Sequence, residues 1–135
     1  MSIKQWFKKH LTNHAETSEQ HWNNELRTHY FKTTKDKAFR AIEKMYENAS
    51  KYDIIAKSEE HGEVSVGVKG SRKAFMVISV IMVKPYRTAI DFSVTTETPL
   101  PFDFGYSHKL IQIQYESLKK ELPFLETSMA QKMEV

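Results

Sequence analysis

The longest apolar run of the chain spans residues 74–83 and is interrupted only by Ser79. Ten residues are too few to span a bilayer as a helix, which takes about 20, and the flanking turn signals predict a strand. Because a strand presents successive side chains to opposite faces, this one is apolar on both faces. Any sheet that contains it needs cover on two sides, and this requirement limits the fold more than any other feature.

The neighbouring segments predict further strands. Residues 63–69 and 87–96 alternate between apolar and polar side chains, as half-buried strands do. Short turns join consecutive segments, which makes the sheet antiparallel there. The full set of predicted strands is 27–32, 52–58, 63–69, 73–83 and 87–96.

Two helices are predicted beside these strands. Thr34 can cap the first, with Asp36 in its first turn facing the positive end of the helix dipole. Its apolar stripe runs over three turns and comprises Ala38, Phe39, Ile42, Met45, Tyr46 and Ala49. Ser107 can cap the second, which Pro123 stops after residue 122. The stripe of the second helix comprises Ile111, Tyr115, Leu118 and Leu122.

The resulting order, β-α-β-β-β-β-α, predicts a two-layer α+β domain: an antiparallel sheet of five strands covered by two helices. This domain spans residues 26–126, after an N-terminal arm (1–25) and before a polar tail (127–135) that is expected to fray. Over residues 27–122 the order is similar to the TATA-box-binding-protein-like topology, which is related to the helix-grip lipid-binding folds. That resemblance implies a fold and no particular function.

Composition narrows the function classes. The chain has 135 residues and no cysteine, so disulfides, thiolate nucleophiles and Cys-ligated zinc are excluded. Twenty basic residues against 17 acidic ones fall short of the clustered excess typical of nucleic-acid-binding proteins. The N-terminus lacks the apolar core of a secretory signal, so a cytoplasmic location is expected.

Candidate chemistry is sparse. His10 and His14 share the i, i+4 spacing of helical metal ligands, and His21 follows, but a third supported ligand is missing and solvated histidines are expected. Asp91 shares a strand face with Arg87, which favours an exposed carboxylate paired with a basic neighbour. Phosphate-binding glycine motifs do not occur. We therefore predict no catalytic residues, no metal, no cofactor and no enzymatic activity.

The beginning of the arm is amphipathic. Ile3, Trp6, Phe7 and Leu11 fall at helical spacing, with lysines on another face. Three interpretations remain: docking on the body or on a second subunit, peripheral contact with a membrane, or disorder. Residues 12–24 are polar and predict a loop or a weak helix.

The apolar strand suggests where function lies. If its row Met76, Ile78, Val80 and Met82 faces solvent, it forms a patch of the kind that marks binding. Our leading hypothesis is an interaction module that binds itself or another protein through this row and the aromatic arm. The alternative is a carrier of an apolar, lipid-like small molecule, held between the sheet and the last helix. Its candidate groove comprises Phe92, Val94, Phe104 and Tyr106.

Residues 75–110 contain the segments VKPYRTAIDFSV and PFDFGYSHKL. This stretch resembles a family of small cytosolic proteins of Gram-positive bacteria. The resemblance implies a cytosolic location and says nothing about chemistry.

Overall fold

The computed structural model describes residues 14–21, 23–70, 72–97 and 105–128. Within these ranges the chain forms seven strands, two α-helices and a short 3-10 helix, Asn24–Leu26. The strands and α-helices are β1 (His14–Glu16), β2 (His29–Phe31), α1 (Lys35–Glu47), β3 (Tyr52–Ser58), β4 (Glu63–Val68), β5 (Ala74–Lys84), β6 (Arg87–Thr96), α2 (Tyr106–Glu121) and β7 (Phe124–Thr127).

All the strands pair antiparallel, in the order β3-β4-β5-β6-β2-β7. β1 pairs with β6 beside Ser93 to Thr95, while β2 pairs with the same strand beside Thr88 to Ile90. These two short strands therefore follow one another along a single edge of β6. The predicted α+β class with an antiparallel sheet is confirmed, but the described sheet has seven strands rather than five.

Two strands are additional: β1 lies in the predicted arm, and β7 lies at the end of the predicted domain, with only Thr127 in the predicted tail. β1 belongs to the segment 12–24, and the prediction of a loop or weak helix is wrong for its three residues. At the other end, Thr127 pairs with His29, and the Ser128 N–H donates to the Thr28 carbonyl at 2.8 Å. Strands of three or four residues are too short to show a hydrophobic period, so only their partners reveal them.

Local signals placed the helices well. The Thr34 hydroxyl accepts a hydrogen bond from the Lys37 N–H, which confirms the predicted cap of α1. The predicted stripe of α1 faces the core, with Phe39, Ile42 and Tyr46 buried. α2 begins at Tyr106, so the predicted cap Ser107 lies inside its first turn, two residues after the observed cap. Gly105 is its N-cap and has a φ of +82°, a conformation that glycine adopts without a steric penalty.

Both helices cover one face of the sheet, here called the inner face. The buried inner-face side chains come from every central strand and from both helices, and include Val64, Val66, Val68, Met76, Ile78, Val80, Ile90, Phe92, Val94, Leu110, Ile111 and Leu118. The expectation that Met76, Ile78 and Val80 face solvent is therefore wrong. Met76, for example, lies between Val66 and Val94 in adjacent strands. Alternation separates the two rows of a strand, but only the position of the helices decides which row they cover.

Candidate functional site

Some of the predicted site residues lie outside the described ranges, some are buried in the core, and some lie at the surface. Ile3, Trp6, Phe7, Leu11 and Phe104 lie outside the described residues. Met82 is exposed because it lies close to the β5–β6 hairpin end, whereas the other three members of its row are core.

The predicted ligand groove is partly filled by protein. Phe92 and Val94 are buried in the core, and the Phe92 ring packs edge-on against Tyr115 at a centroid distance of 4.9 Å. Tyr106 is half-buried at the start of α2, where its ring contacts the Arg72 guanidinium. The groove residues that the structure describes are thus two core side chains and one surface aromatic.

The exposed row of β5 is the opposite one, on the outer face of the sheet. Phe75, Ile81 and Val83 are 43%, 57% and 49% exposed, with half-buried Val77 and Ser79 between them. From Phe75 to Ile81 this row is odd-numbered and the inner row is even-numbered, whereas exposed Val83 lies at a bulge, where the pairing with β6 shifts between Met82 and Lys84. The sequence predicted both rows of β5, but the row proposed to face solvent was the even-numbered one, most of which is buried.

One side chain extends this row across the sheet. Ile55 of β3 is exposed, and its Cδ1 lies 3.3 Å from the position that a Cβ on Gly67 would occupy. Gly67 is also the cross-strand partner of Phe75. Since Gly67 has no side chain, Ile55 can lean over β4 on the side towards Phe75. We call Ile55, Phe75, Val77, Ile81 and Val83 the outer apolar surface.

Asp91 also lies on the outer face, but it is not exposed as predicted. The hydroxyls of Thr17 and Thr28 both donate to its Oδ1, at 2.5 and 2.7 Å. Burial raises the pKa of the Asp91 carboxyl, and these two hydrogen bonds oppose the rise. Arg87, the expected partner, instead forms a 2.7 Å ion pair with Glu126. The chain between β1 and β2 encloses this carboxylate, which no pattern within β6 indicates.

Tyr115 connects this cluster to the inner face. Its hydroxyl donates to the Ile90 carbonyl at 2.6 Å and lies 3.4 Å from the Thr17 hydroxyl. The His29 ring stacks on Tyr115 with a centroid distance of 3.5 Å and an interplanar angle of 8°. The network therefore joins β1, β2, β6 and α2 at the point where the two short strands meet the long one.

His29 is held as a neutral imidazole. Its Nδ1 lies 2.8 Å from the Arg27 carbonyl, which can only accept, so this nitrogen carries the proton and Nε2 carries the lone pair. Burial lowers the pKa of His29 to about 4, and the charge of Lys119 acts in the same direction. At neutral pH the ring can accept a hydrogen bond, but it is a weak base.

His29 and Tyr115 line a cleft of about 320 Å³ beneath α2. Its rim carries charges of both signs, but these groups bind one another. Glu116 and Lys119 are 3.6 Å apart, and the Gln112 amide donates to Glu25. Asp91 lies on the opposite face of the sheet. The cleft therefore has a hydrogen-bond acceptor, His29 Nε2, at its base, and the charged and polar groups on its rim pair with one another. The buried network beside it holds β1, β2, β6 and α2 together.

In the described part of the chain, no group of three His, Asp or Glu side chains could hold a metal ion. None of the helices described is long and apolar enough to cross a membrane. His14, one of the histidines at helical spacing, lies in β1 with its Nδ1 2.5 Å from the Thr95 hydroxyl, and His10 is outside the described ranges.

Comparison with known proteins does not identify a family. The chain matches no protein-family model and no curated protein.

Proposed function

We propose that this protein is a non-enzymatic cytoplasmic interaction module that pairs with a second copy of itself through the outer apolar surface. The exposed row Phe75, Ile81 and Val83 carries this proposal, because a contiguous apolar row on a sheet face is typical of a binding surface. The two helices cover only the other face of the sheet, so this row needs a different cover.

A second copy of the chain can pack against this row because the order of apolar and polar side chains along β5 is the same from either end. Two apolar residues, Ser79 and two more apolar residues follow one another along β5. An isologous dimer requires a surface that complements itself. A twofold axis between two facing sheets, perpendicular to β5 and level with Ser79, places Val77 opposite Ile81 and Phe75 opposite the bulge at Val83. Facing sheets pack about 10 Å apart, with their side chains interdigitating.

The interface extends beyond this row. Nine residues of strand span only about 30 Å, and a stable interface buries about 800 Å² per partner. His14, the first residue that the structure describes, lies in one cross-strand row with Thr95 and Phe75, and the arm immediately precedes it in the sequence. For this reason we include the apolar residues of the arm in the proposed interface: Ile3, Trp6, Phe7 and Leu11.

The carrier of an apolar ligand is the weaker proposal. Phe92 and Val94, two of the four residues predicted to line its groove, are surrounded by protein side chains. A lipid-like ligand in that place would have to displace core packing.

The test is native mass spectrometry with light scattering on the full chain. We expect a dimer for the wild type and a dissociation constant raised about tenfold or more by Phe75→Ser and by Ile81→Ser. Ile113→Ser is the matched control, since Ile113 is 45% exposed on α2, away from the outer face. It should leave the dimer unchanged. Deleting residues 2–12 should weaken the dimer as well.

Three results would contradict the proposal. The first is a monomer at every concentration up to about 100 μM, where any specific homodimer of moderate affinity assembles. The second is an equal effect of Ile113→Ser. The third is a monomer that carries a lipid mass, which would favour the carrier. Circular dichroism confirms that each variant is folded.

A further inference from the structure

The cleft beneath α2 brings together hydrogen-bond acceptors from separate parts of the chain. Its lining comes from the 3-10 helix, β2, α2 and β7. His29 lies at its base, and Glu25 lies on its rim. We propose that this cleft binds the protonated primary amine of a small molecule, with His29 Nε2 and the Glu25 carboxylate as the acceptors.

His29 supplies the acceptor that the fold leaves unused. The residue is only 4% exposed, and its Nδ1 is occupied by the Arg27 carbonyl at 2.8 Å. Nε2 has no hydrogen-bond partner among the described residues, and it is not sealed off from solvent. Because burial lowers the pKa of His29 to about 4, the ring offers a lone pair and no positive charge at neutral pH. A donor that reaches this lone pair is largely removed from bulk water, which strengthens the hydrogen bond.

The described lining carries an excess of negative charge. Glu25 and Glu116 are acidic there, and Lys119 is basic. Lys119 Nζ lies 3.6 Å from Glu116 Oε2 and 4.5 Å from the centre of the Phe124 ring, so this cation already has its partners. Glu25 accepts a hydrogen bond from the neutral Gln112 amide, and no cation of the described residues forms an ion pair with it. One negative charge therefore remains, which favours a cationic ligand.

A primary ammonium suits the acceptors in number and size. It carries three N–H donors on one compact centre. The Gln112 amide uses its N–H group on Glu25, which leaves its carbonyl oxygen as a further acceptor. Thr127 is the cross-strand partner of His29, so its hydroxyl lies on the same face of the sheet. The cleft volume of about 320 Å³ is near the lower end of the usual range, about 300 to 1,000 Å³, and limits the ligand to a small molecule.

Both acceptors are positioned before a ligand arrives. The His29 ring contacts the rings of Tyr115 and Phe124, at centroid distances of 3.5 and 5.3 Å. The hydrogen bond from Gln112 holds the Glu25 side chain against α2. Because these groups are already ordered, less entropy is lost on binding.

n-Propylammonium is the probe, titrated into the full-length protein at neutral pH and constant ionic strength. The readout is the nitrogen chemical shift of His29 Nε2, which moves upfield when the lone pair accepts a hydrogen bond. Tetramethylammonium is the matched probe, because it has the same charge and no N–H donor. We expect a saturable shift with propylammonium and none with tetramethylammonium.

Four variants separate the contributions to the affinity for propylammonium. His29→Phe keeps a ring on Tyr115 and removes the acceptor, so it should weaken binding about tenfold or more. Glu25→Gln removes the charge and should weaken binding about fivefold. Lys119→Gln removes a repelling cation and should tighten binding. Glu63→Gln is the matched control for Glu25→Gln, since β4 lies three strands and about 14 Å from β2, and it should leave the affinity unchanged.

Several results would overturn the proposal. An equal shift with tetramethylammonium, an unsaturable shift, or an equal loss in Glu63→Gln would mean nonspecific attraction of cations. Weaker binding in Lys119→Gln would mean that the cleft prefers an anion. A lysine-containing peptide with blocked ends is titrated in parallel, and tighter binding of this peptide would overturn the assignment to a small molecule. The wild-type shift needs no variant to fold, and the oligomeric state is measured in the same samples, so the result does not depend on the dimer.

Discussion

His29 makes the stability of the fold depend on pH in a direction that its contacts predict. Its side chain is stacked on Tyr115 and is part of a residue that is only 4% exposed. Burial lowers the pKa of the ring from about 6.5 in the unfolded chain to about 4. Replacing His29 with phenylalanine keeps a flat ring on Tyr115 and removes the titration.

The direction in which stability changes with pH follows from proton uptake by the unfolded chain. Below about pH 6.5 the unfolded imidazole binds a proton, whereas the folded one stays neutral until about pH 4. The stabilisation by His29 is therefore fully present above pH 6.5 and is lost as the pH falls through this window. A separation of about 2.5 units corresponds to about 3 kcal/mol, of which about 2 kcal/mol is lost between pH 7 and pH 5.

The assay is urea unfolding of the wild type and of His29→Phe at pH 7, 6 and 5. The variant loses the hydrogen bond to the Arg27 carbonyl at every pH, so its absolute stability changes by a constant amount. The measured quantity is therefore the slope of the free energy of unfolding against pH. We expect the wild type to lose about 2 kcal/mol more than the variant over this range. Groups that titrate in both proteins cancel in the difference.

Two outcomes would refute this reasoning. One is a pair of parallel stability curves for the wild type and His29→Phe. The other is a His29 ring signal that titrates near pH 6.5 in the folded protein, measured by NMR. Either result would mean that water reaches the ring in solution.

Substitutions at Asp91 and at Gly62 give two further predictions, which urea denaturation can check. Because burial raises the folded pKa of Asp91, its stabilising contribution is present at low pH and is lost as the pH rises through that pKa. Asp91→Asn keeps the Oδ1 acceptor without the charge and should stabilise by about 1 kcal/mol at pH 7, with the gain vanishing near pH 3, whereas Asp91→Ala should destabilise by about 2 kcal/mol. A destabilising Asp91→Asn at pH 7 would show that the negative charge is needed. Gly62→Ala places a Cβ 2.3 Å from the Val80 carbonyl oxygen at a φ of +66° and should cost about 3 kcal/mol. Gly105→Ala, at a φ of +82° with no atom of the described residues within 4 Å of the new Cβ, should cost only about 1 kcal/mol; equal costs would contradict the close approach at Gly62.

Much of the local structure was predictable from the sequence. The strands Tyr52–Ser58 and Arg87–Thr96 have the predicted bounds, and the cap at Thr34 is confirmed. These features depend on residues within a turn or two of one another, because a helix cap, a polar/apolar alternation and a tight turn are short-range interactions.

The candidate surfaces depended on neighbours that are far away in the chain. Which row of β5 is exposed follows from where the helices pack, and the burial of Asp91 follows from Thr17, a partner 74 positions away. Arg72 is similar: in the sequence it stands beside Lys73 in one turn, whereas the structure places it at one pocket with Lys51 and Lys69.

The chain by itself therefore determined its two helices, five of the seven described strands, the two apolar rows of β5 and the need to cover both. Only the tertiary structure decided which row meets the helices, which short strands join β6 and which charges converge. The physical reason is range: periodicity and capping act between neighbours in sequence, whereas burial and electrostatic fields act between neighbours in space.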